Sequence, residues 1–219
     1  MLKLNNLTLA YHESHPILSG INLDLGEGEK IGILGRNGIG KTTLLNSIFG
    51  LVPIIRGEIS FMGRSILQVS AHRLSGMGVG YFMQGAPVYP HMSVRENLWM
   101  VSGRISRDEF NRRRDELLSG FPIFKSSSFD NMPAGSLSGG ERSQLAMAMA
   151  IFNKPSLLLL DEPFAGLSPV NIGQFMNSLR DYHSKSGAAI IMAEQDAGIA
   201  SDLCDRLLVI RDNKLIHML

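Results

Sequence analysis

The stretch Gly35-Arg36-Asn37-Gly38-Ile39-Gly40-Lys41-Thr42 matches the pattern of a phosphate-binding loop at every fixed position. Its glycines allow positive φ angles and a close approach of the backbone to a ligand. Successive N–H groups can then surround phosphates at a helix start, where the helix dipole favours negative charge. We expect Lys41 to reach the β- and γ-phosphates and the Thr42 hydroxyl to bind Mg²⁺. A glycine-rich turn that carries a lysine by chance is the alternative, and the strand and helix predicted around the loop disfavour it.

A buried strand that ends in two acids, LLLLDEP at 157–163, is a natural partner for this loop. Four consecutive leucines are typical of a strand covered on both faces. Asp161 is expected to hold Mg²⁺ through water, and Glu162 to orient and deprotonate an attacking water as a general base. Such a strand is common on its own. Together with the loop it indicates hydrolysis of a nucleoside triphosphate rather than binding alone.

A second anion-binding helix start is indicated by Leu137-Ser138-Gly139-Gly140-Glu141, which precedes the helical run ERSQLAMAMAIF. Backbone N–H groups and the Ser138 hydroxyl can bind an anion there. Because the first loop already holds one nucleotide, the economical explanation is that this site closes over a nucleotide bound by another chain. A simple helix cap is the alternative.

The elements that must position these residues alternate along the chain. Apolar residues at every second position predict N-terminal strands around 2–9 and 21–25, and IGILG (31–35) reads as a short buried strand. We predict further strands at 155–161, 188–194 and 206–210, and helices at 42–49 and near 170–182. Alternating strands and helices favour a mostly parallel sheet covered by helices, an α/β fold.

Residues from about 84 to 140 differ in character from the rest. Charges cluster in SGRISRDEFNRRRDELLSG, apolar residues take helical spacing, and no strand pattern occurs. We predict a helical lobe over about 84–140, inserted into one domain that covers 1–219.

Composition narrows the function classes. The net charge is +1 among 219 residues, so no strong charge balance indicates a nucleic acid partner, and none is expected. Cys204 is the single cysteine, which rules out an intrachain disulfide and a cysteine-built zinc site. With no secretion signal at its start and no run of about 18 apolar residues, the chain is expected to be soluble and intracellular.

In order and spacing, these motifs resemble those of the ABC ATPases, the nucleotide-binding subunits of ATP-binding cassette transporters, over essentially the whole chain. GRNGIGKTT and LLLLDEP resemble the two Walker motifs, and LSGGE resembles the signature motif. The resemblance implies a P-loop NTPase core with an N-terminal antiparallel β segment and an inserted helical lobe. It also implies ATP and Mg²⁺ as ligands, and two chains that close head to tail on two ATP molecules.

The resemblance assigns roles to further residues. Gln84, in YFMQG, falls at the family's Q-loop glutamine, a ligand of Mg²⁺ and water where the core and the lobe meet. Tyr11 stands where the family stacks an aromatic ring on adenine, although a strand tyrosine is more often packing alone. The implied catalytic residues are Lys41, Gln84, Glu162 and Gln195, and the implied metal ligands are Thr42, Gln84 and Asp161. The implied nucleotide-binding residues are Tyr11, Gly35, Arg36, Asn37, Gly38, Ile39, Gly40, Lys41, Thr42 and Thr43.

Gln195, in IIMAEQD, departs from the family, most of whose members have a histidine there that contacts the γ-phosphate. A glutamine amide can donate a hydrogen bond but cannot take up positive charge. Loss of one such contact typically costs about 3–4 kcal/mol, or about 10²–10³ in rate. Branched-chain amino acid importers include a subunit with glutamate-glutamine here, and they commonly pair two different ATPase subunits. We therefore favour a non-identical ATPase partner over a second identical copy.

A closer resemblance is carried by GRNGIGKTT, by residues 78–98 and by DEPFAGLSP (161–169). These look like the ATPase subunits of branched-chain amino acid and urea or amide importers. We expect an ATPase on the cytoplasmic face of the cell membrane that powers import through separate transmembrane permease subunits. A lipopolysaccharide-export ATPase and a low-turnover regulatory subunit are the alternatives.

Overall fold

The computed structural model of the chain describes residues 1–10, 15–121 and 129–218. Tyr11, expected to stack on adenine, lies outside the described residues. Within them the strands are β1 (Leu2–Leu9), β2 (Leu18–Leu25), β3 (Lys30–Leu34), β4 (Ile54–Phe61), β5 (Arg64–Ser65), β6 (Val79–Phe82), β7 (Leu157–Asp161), β8 (Ala189–Glu194), β9 (Arg206–Arg211) and β10 (Lys214–His217). The helices are α1 (Lys41–Ile48), α2 (Ala71–Gly76), α3 (Val94–Val101), α4 (Arg107–Ser119), α5 (Gly139–Ile151), α6 (Pro169–Ser186) and α7 (Ala197–Leu203). None of these helices has both the length and the apolar character needed to span a bilayer.

A mostly parallel sheet forms the centre of the molecule, with the strand order β10-β9-β3-β8-β7-β6. All neighbouring pairs are parallel except β10 with β9 at one edge. Leu157, Leu158, Leu159 and Leu160 of β7 are all fully buried, as expected of a strand covered on both faces. The predicted parallel sheet is confirmed. Because β3, β8 and β7 are neighbours, the loops that follow their carboxyl ends lie side by side.

The N-terminal region forms a second, antiparallel sheet with the order β2-β1-β4-β5. Leu2, Leu7 and Leu9 of β1 and Ile21 and Leu25 of β2 are fully buried, which explains the alternating pattern in the sequence. The predicted antiparallel segment is confirmed.

Strand β4 joins this sheet although its sequence, IIRGEISF, does not alternate cleanly. Its pairing with β1 shifts register opposite Asn5 and Thr8, beside Gly57. Gly57 has φ +99°, and a Cβ there would lie 2.5 Å from the carbonyl oxygen of Asn6. The irregular pairing is possible because a glycine occupies the bulge, and this interruption hid the strand from a test for strict alternation.

The long elements between β6 and β7 are helical, in agreement with the predicted lobe. Helix α3 starts at a capping box in which Ser93 and Glu96 satisfy each other's backbone N–H groups. The ring of Phe110 packs against Trp99 at 4.9 Å and against Phe152 at 5.4 Å between centroids, joining α3, α4 and the end of α5. Helix α5 runs on past residue 140 and packs against β6, so the signature segment is anchored in the core. The lobe boundaries at about 84 and 140 stay a prediction.

The approach of α5 to β6 depends on a glycine in the strand. A Cβ at Gly80 would lie 2.5 Å from the carbonyl oxygen of Ala150 and 2.7 Å from Cγ of Pro155. Only a glycine therefore lets the strand and the helix come this close.

We expect Gly80→Ala to lower the free energy of unfolding by about 1–3 kcal/mol, measured by urea denaturation. Gly173→Ala on α6 is the matched control, since nothing lies within 4 Å of a Cβ there. The control should gain about 0.5–1 kcal/mol from helix propensity, and equal effects of the two substitutions would contradict the steric argument.

Candidate active site

The phosphate loop joins the carboxyl end of β3 to the first turn of α1. Gly38 has φ +77° and Gly40 has φ +112°, conformations that other residues rarely adopt. A Cβ at Gly40 would also lie 3.0 Å from Cγ2 of Ile17. The backbone therefore makes the turn that the glycine pattern predicts. Of the other loop residues, Thr43 is buried, whereas the exposed or partly exposed ones are Gly35, Arg36, Asn37, Ile39 and Thr42.

Lys41 is almost fully buried, at 3% side-chain exposure, and its ammonium group has three oxygen partners. Its Nζ donates to the carbonyl oxygens of Gly35 at 2.8 Å and Arg36 at 3.3 Å. It also lies 3.1 Å from Oε1 of Glu162, whose side chain is 8% exposed. The lysine of the loop and the expected general base are thus an ion pair, a contact that the sequence analysis did not foresee.

Asp161 ends β7 directly beside α1. The Thr42 hydroxyl donates to its Oδ1 at 3.2 Å, and its Oδ2 is buried with no hydrogen-bond partner. Burial raises the pKa of Asp161 above its ordinary value, and the nearby charge of Glu162 adds to the rise. The hydrogen bond from Thr42 and the charge of Lys41 act against it. The site therefore holds a carboxylate oxygen with spare capacity to accept a donor or a cation.

This arrangement suits a magnesium ion. Mg²⁺ prefers hard oxygen ligands, and a hydroxyl and a carboxylate are adjacent here at the end of the phosphate loop. The orphaned Oδ2 of Asp161 is the observation that favours a cation, because a buried carboxylate oxygen without a partner is costly. Thr42 and Asp161 fit the predicted metal site in position and in chemistry.

Glu162 follows Asp161 in an unusual backbone conformation, with φ +47°. Its N–H donates to the carbonyl oxygen of Ala193 on β8 at 3.0 Å, which holds this turn against the neighbouring strand. The side-chain amide of Gln84 donates to Oε2 of Glu162 at 3.0 Å. Each carboxylate oxygen of Glu162 thus has one partner, the Lys41 ammonium on one side and Gln84 on the other.

Gln195 follows β8 and reaches the phosphate loop. Its Nε2 donates to Oδ1 of Asn37 at 2.6 Å. The predicted site residues outside the signature segment are therefore brought together at one edge of the central sheet, apart from Tyr11, which is not described. Within this group the amide of Gln195 is placed beside the loop that would hold the phosphates.

Glu194 is a site residue that the sequence analysis missed. It is 6% exposed, its Oε2 accepts the N–H of Gln195 at 2.9 Å, and its Oε1 is buried without a partner. Burial raises its pKa, opposed by backbone hydrogen bonds and reinforced by the charge of Glu162. An acid that ends an otherwise apolar strand, IIMAE, was the signal that could have revealed it.

The signature segment lies at the start of α5. Leu137 is buried, Ser138 and Gly139 are exposed, and Gly140 is partly exposed. Ser138 caps the helix: its Oγ accepts the N–H of Glu141 at 3.3 Å, and the Glu141 carboxylate accepts the N–H of Ser138 at 2.7 Å. The simple helix cap is thus present, and the exposed start of the helix leaves the nucleotide-contacting role open.

The comparisons with known proteins agree with this geometry. The family described as "ABC transporter" matches residues 18–165. The probable branched-chain amino acid transport ATP-binding protein LivF of Archaeoglobus fulgidus is 34% identical over 205 residues, which cover 94% of this chain and 86% of that protein. The lipopolysaccharide export system ATP-binding protein LptB of Haemophilus influenzae is 32% identical over 220 residues, which cover 99% of this chain and 89% of that protein.

A solved structure has the same architecture. The dimeric post-hydrolysis state of the ATP-binding cassette MJ0796, bound to ADP and Pi, has a TM-score of 0.86 and 26% identity. The match covers 98% of this chain and 96% of that one. The family match, the relatives and the shared fold lead to one conclusion: this chain belongs to the ABC transporter family, as an ATP-binding subunit that hydrolyses ATP.

Proposed function

We propose that this chain powers the import of an amino acid or an amide through separate permease subunits, from the cytoplasmic face of the membrane. The observation that carries this proposal is the similarity to the LivF protein of A. fulgidus, at 34% identity over 94% of the chain. The Glu194-Gln195 pair at the end of β8 supports it, because a subunit of such importers has the same pair.

A transport assay tests the cargo class. We expect vesicles that contain this chain with its permease subunits to take up radiolabelled branched-chain amino acids, urea or short amides when ATP is supplied. The matched control is Lys41→Ala, which removes the ammonium group of the phosphate loop. Uptake that persists in this variant, or no uptake of any of these solutes, would contradict the proposal.

A second candidate is lipopolysaccharide export, favoured by the similarity to LptB of H. influenzae over 99% of the chain. ATP-driven extraction of lipopolysaccharide from the same vesicles would support this candidate. A low-turnover regulatory subunit is favoured by Gln195, and an ATPase rate that stays low with the permease present would support that role.

The Lys41–Glu162 ion pair orders the steps of hydrolysis. Phosphate oxygens of ATP in the loop compete with the Glu162 carboxylate for the Lys41 ammonium. Once Lys41 turns to the phosphates, Glu162 keeps its hydrogen bond from Gln84 and has a free carboxylate oxygen. That oxygen takes the proton of a water as the water attacks the γ-phosphorus, and the bond to the β–γ bridging oxygen breaks. In this mechanism Gln195 donates an amide hydrogen to the γ-phosphate, and its contact with Asn37 of the phosphate loop supports this role.

Thr42, Gln84 and Asp161 are the residues to which we assign a Mg²⁺ ion. When bound, the ion neutralises the charge on the phosphate oxygens. The residues themselves have separate tasks that the contacts define: Thr42 orients the Asp161 carboxylate, and Gln84 orients Glu162.

A second ATPase chain completes each site in this proposal. The N–H groups at the start of α5 and the Ser138 hydroxyl are accessible to a nucleotide held by another chain. We infer a head-to-tail pair in which Ser138 and Gly140 of one chain face the ATP on Lys41 of the other. Gln195 favours a non-identical partner, with the site on Lys41 and Gln195 the slower of the two. Equal rates at both sites of a reconstituted pair would contradict this assignment.

A groove between β6 and the helical lobe suits the permease. Its volume is about 380 Å³, and its largely apolar walls include Phe82, Met83, Val88, Tyr89 and Met149. Met83 is 39% and Tyr89 is 47% exposed. Because Gln84 directly follows Met83, an apolar permease helix seated there would contact the segment that positions Gln84 and Glu162. Movement at the active site can pass to the membrane by this route.

Glu162→Gln tests the general base, because the variant keeps the side-chain volume but cannot take up a proton. We expect turnover to fall about 10²–10⁴-fold, measured by phosphate release, with ATP binding retained. Glu27→Gln, in an exposed turn, is the control and should leave the rate unchanged. A fall of less than about tenfold for Glu162→Gln would contradict the assignment.

The same Glu162→Gln variant tests the composition of the pair. Light scattering with and without ATP measures its solution mass. An ATP-dependent dimer would support pairing of identical chains, whereas a monomer that binds ATP tightly would support a non-identical partner.

Gln195→His restores the residue that most of the family has. We expect turnover to rise, by up to about 10²-fold, because a histidine can add positive charge at the γ-phosphate. The rate should also become pH-dependent near a pKa of about 6.5, which a glutamine cannot produce. Gln195→Ala should lower the rate. An unchanged rate and pH profile in both variants would overturn the role of Gln195.

Asp161→Asn tests whether the buried charge of Asp161 destabilises the folded chain at neutral pH. Because burial raises the pKa of Asp161, the folded chain favours the protonated carboxyl. This stabilisation is complete below the ordinary carboxyl pKa of about 4 and is lost as pH rises through the raised value. We expect Asp161→Asn to raise the melting temperature at pH 7, without added nucleotide, and to change it little near pH 4.

Asp205→Asn is the control, because the pKa of Asp205 is shifted in the opposite direction to that of Asp161. Partial burial raises the pKa of Asp205, but hydrogen bonds from Lys30 and the charge of Lys30 outweigh it and lower the pKa. Its stabilisation is present above the ordinary carboxyl pKa and is lost as pH falls. Asp205→Asn should therefore lower the melting temperature at pH 7. Shifts of the same sign in both variants would contradict the argument from burial.

A further inference from the structure

We propose that Glu194 is a positioning residue for hydrolysis: its buried carboxylate holds the backbone of Gln195 at the end of β8, next to the residue whose carbonyl holds the turn of Glu162, and so fixes Gln195 relative to Glu162. The inference rests on the proposed roles of Gln195 and Glu162, and it adds a residue that contacts neither water nor phosphate in that mechanism.

The carboxylate of Glu194 holds the start of the loop after β8. Its Oε2 accepts the N–H of Gln195 at 2.9 Å, and the carbonyl oxygen of the preceding residue, Ala193, accepts the N–H of Glu162 at 3.0 Å. The N–H groups of Asp196 and Phe164 act to lower the pKa of Glu194 against the effect of burial. Phe164 comes two residues after Glu162, and its ring packs on Phe175 of α6 at 5.4 Å between centroids. The hydrogen bonds from Glu162 and from Gln195 thus end on adjacent residues of β8, Ala193 and Glu194.

Gln195 is held by two hydrogen bonds, one to its backbone and one to its side chain. Its backbone is held by Glu194, and its side chain donates to Asn37 in the phosphate loop. The neighbouring Asp196 does not supply the same link, because its Oδ1 accepts the N–H groups of Gly198 and Ile199 at the start of α7. Loss of the Glu194 carboxylate therefore frees the backbone of Gln195 while the loop contact remains.

Glu194 occupies a position that packing alone would give to an apolar residue. Leu158, Leu160, Ile190 and Met192 are buried apolar residues of the same cluster that lines this face of the sheet. A carboxylate among them, with its Oε1 unpartnered and the Glu162 charge nearby, is less favourable than an apolar side chain. The hydrogen bond from the N–H of Gln195 is what an apolar residue could not supply. A residue that breaks the local packing rule in this way is expected at a functional site.

The test compares Glu194→Ala, Glu194→Gln and the control Ile190→Ala in the chain of 219 residues. Ile190 lies on the same strand and the same face, is fully buried, and has no place in the site. Single-turnover hydrolysis gives the rate of the chemical step, and calorimetric titration with ATP gives the affinity. Thermal unfolding confirms that each variant is folded at the assay temperature.

We expect Glu194→Ala to slow the chemical step about 10²-fold, the effect of misplacing a catalytic group by about 1 Å, with little change in ATP affinity. Glu194→Gln should stay within a few-fold of the unchanged chain, because its side-chain carbonyl can still accept the N–H of Gln195. Ile190→Ala should lower the melting temperature without this loss of rate.

A double variant decides whether Glu194 acts through Gln195. If it does, Glu194→Ala should have little further effect in a Gln195→Ala background. Multiplicative effects, a rate loss no larger than that of Ile190→Ala, or a change in affinity alone would each overturn the inference. If Gln195→Ala by itself leaves the rate unchanged, the proposed role of Gln195 fails and the inference fails with it. If Gln195→Ala slows the reaction and Glu194→Ala does not, the inference fails alone.

Discussion

Three adjacent parallel strands, β3, β8 and β7, end at the same edge of the sheet, and the candidate site depends on that edge. The register places Leu34 beside Glu194 and Asp161 beside Ala193. The phosphate loop, the acidic turn and the Gln195 loop leave the sheet at this level, so residues far apart in sequence meet within hydrogen-bonding distance. Lys41 and Glu162 can then pair although both are buried, because their attraction offsets much of the cost of removing each charge from water.

The buried charges at this edge are mostly negative. Asp161, Glu162 and Glu194 are buried carboxylates, and Lys41 is the cation that contacts one of them. Two of the carboxylates retain an oxygen with no hydrogen-bond partner. A ligand that brings phosphate oxygens for the lysine and a cation for the carboxylates would neutralise the positive and the negative groups together. These charges fit a metal–nucleotide complex, and for this reason we expect them to weaken the fold in the absence of one.

Much of the fold and of the site could be predicted from the sequence, because the relevant signals are local. The phosphate loop is one contiguous segment whose glycines and lysine have fixed spacing, and four leucines in a row identify β7 without any knowledge of its neighbours. The Lys41–Glu162 pair and the Gln195–Asn37 contact could not be predicted in this way. Each depends on which strands are adjacent, and strand order is not encoded in the pattern of any single strand. Strand β4 escaped prediction for a different reason, since Gly57 interrupts its alternation.

The cap of α5 has a consequence for how the helix start can serve a ligand. The Ser138 oxygen uses a lone pair to accept the N–H of Glu141, so the hydroxyl hydrogen is not consumed by the cap. That hydrogen can be donated outward to an acceptor while the first turn stays closed. Arrival and departure of an anion need not unwind the helix, and the segment can act as a rigid contact surface through repeated cycles of association and separation. A threonine would keep this dual capacity, whereas an aspartate would keep the cap and repel the anion.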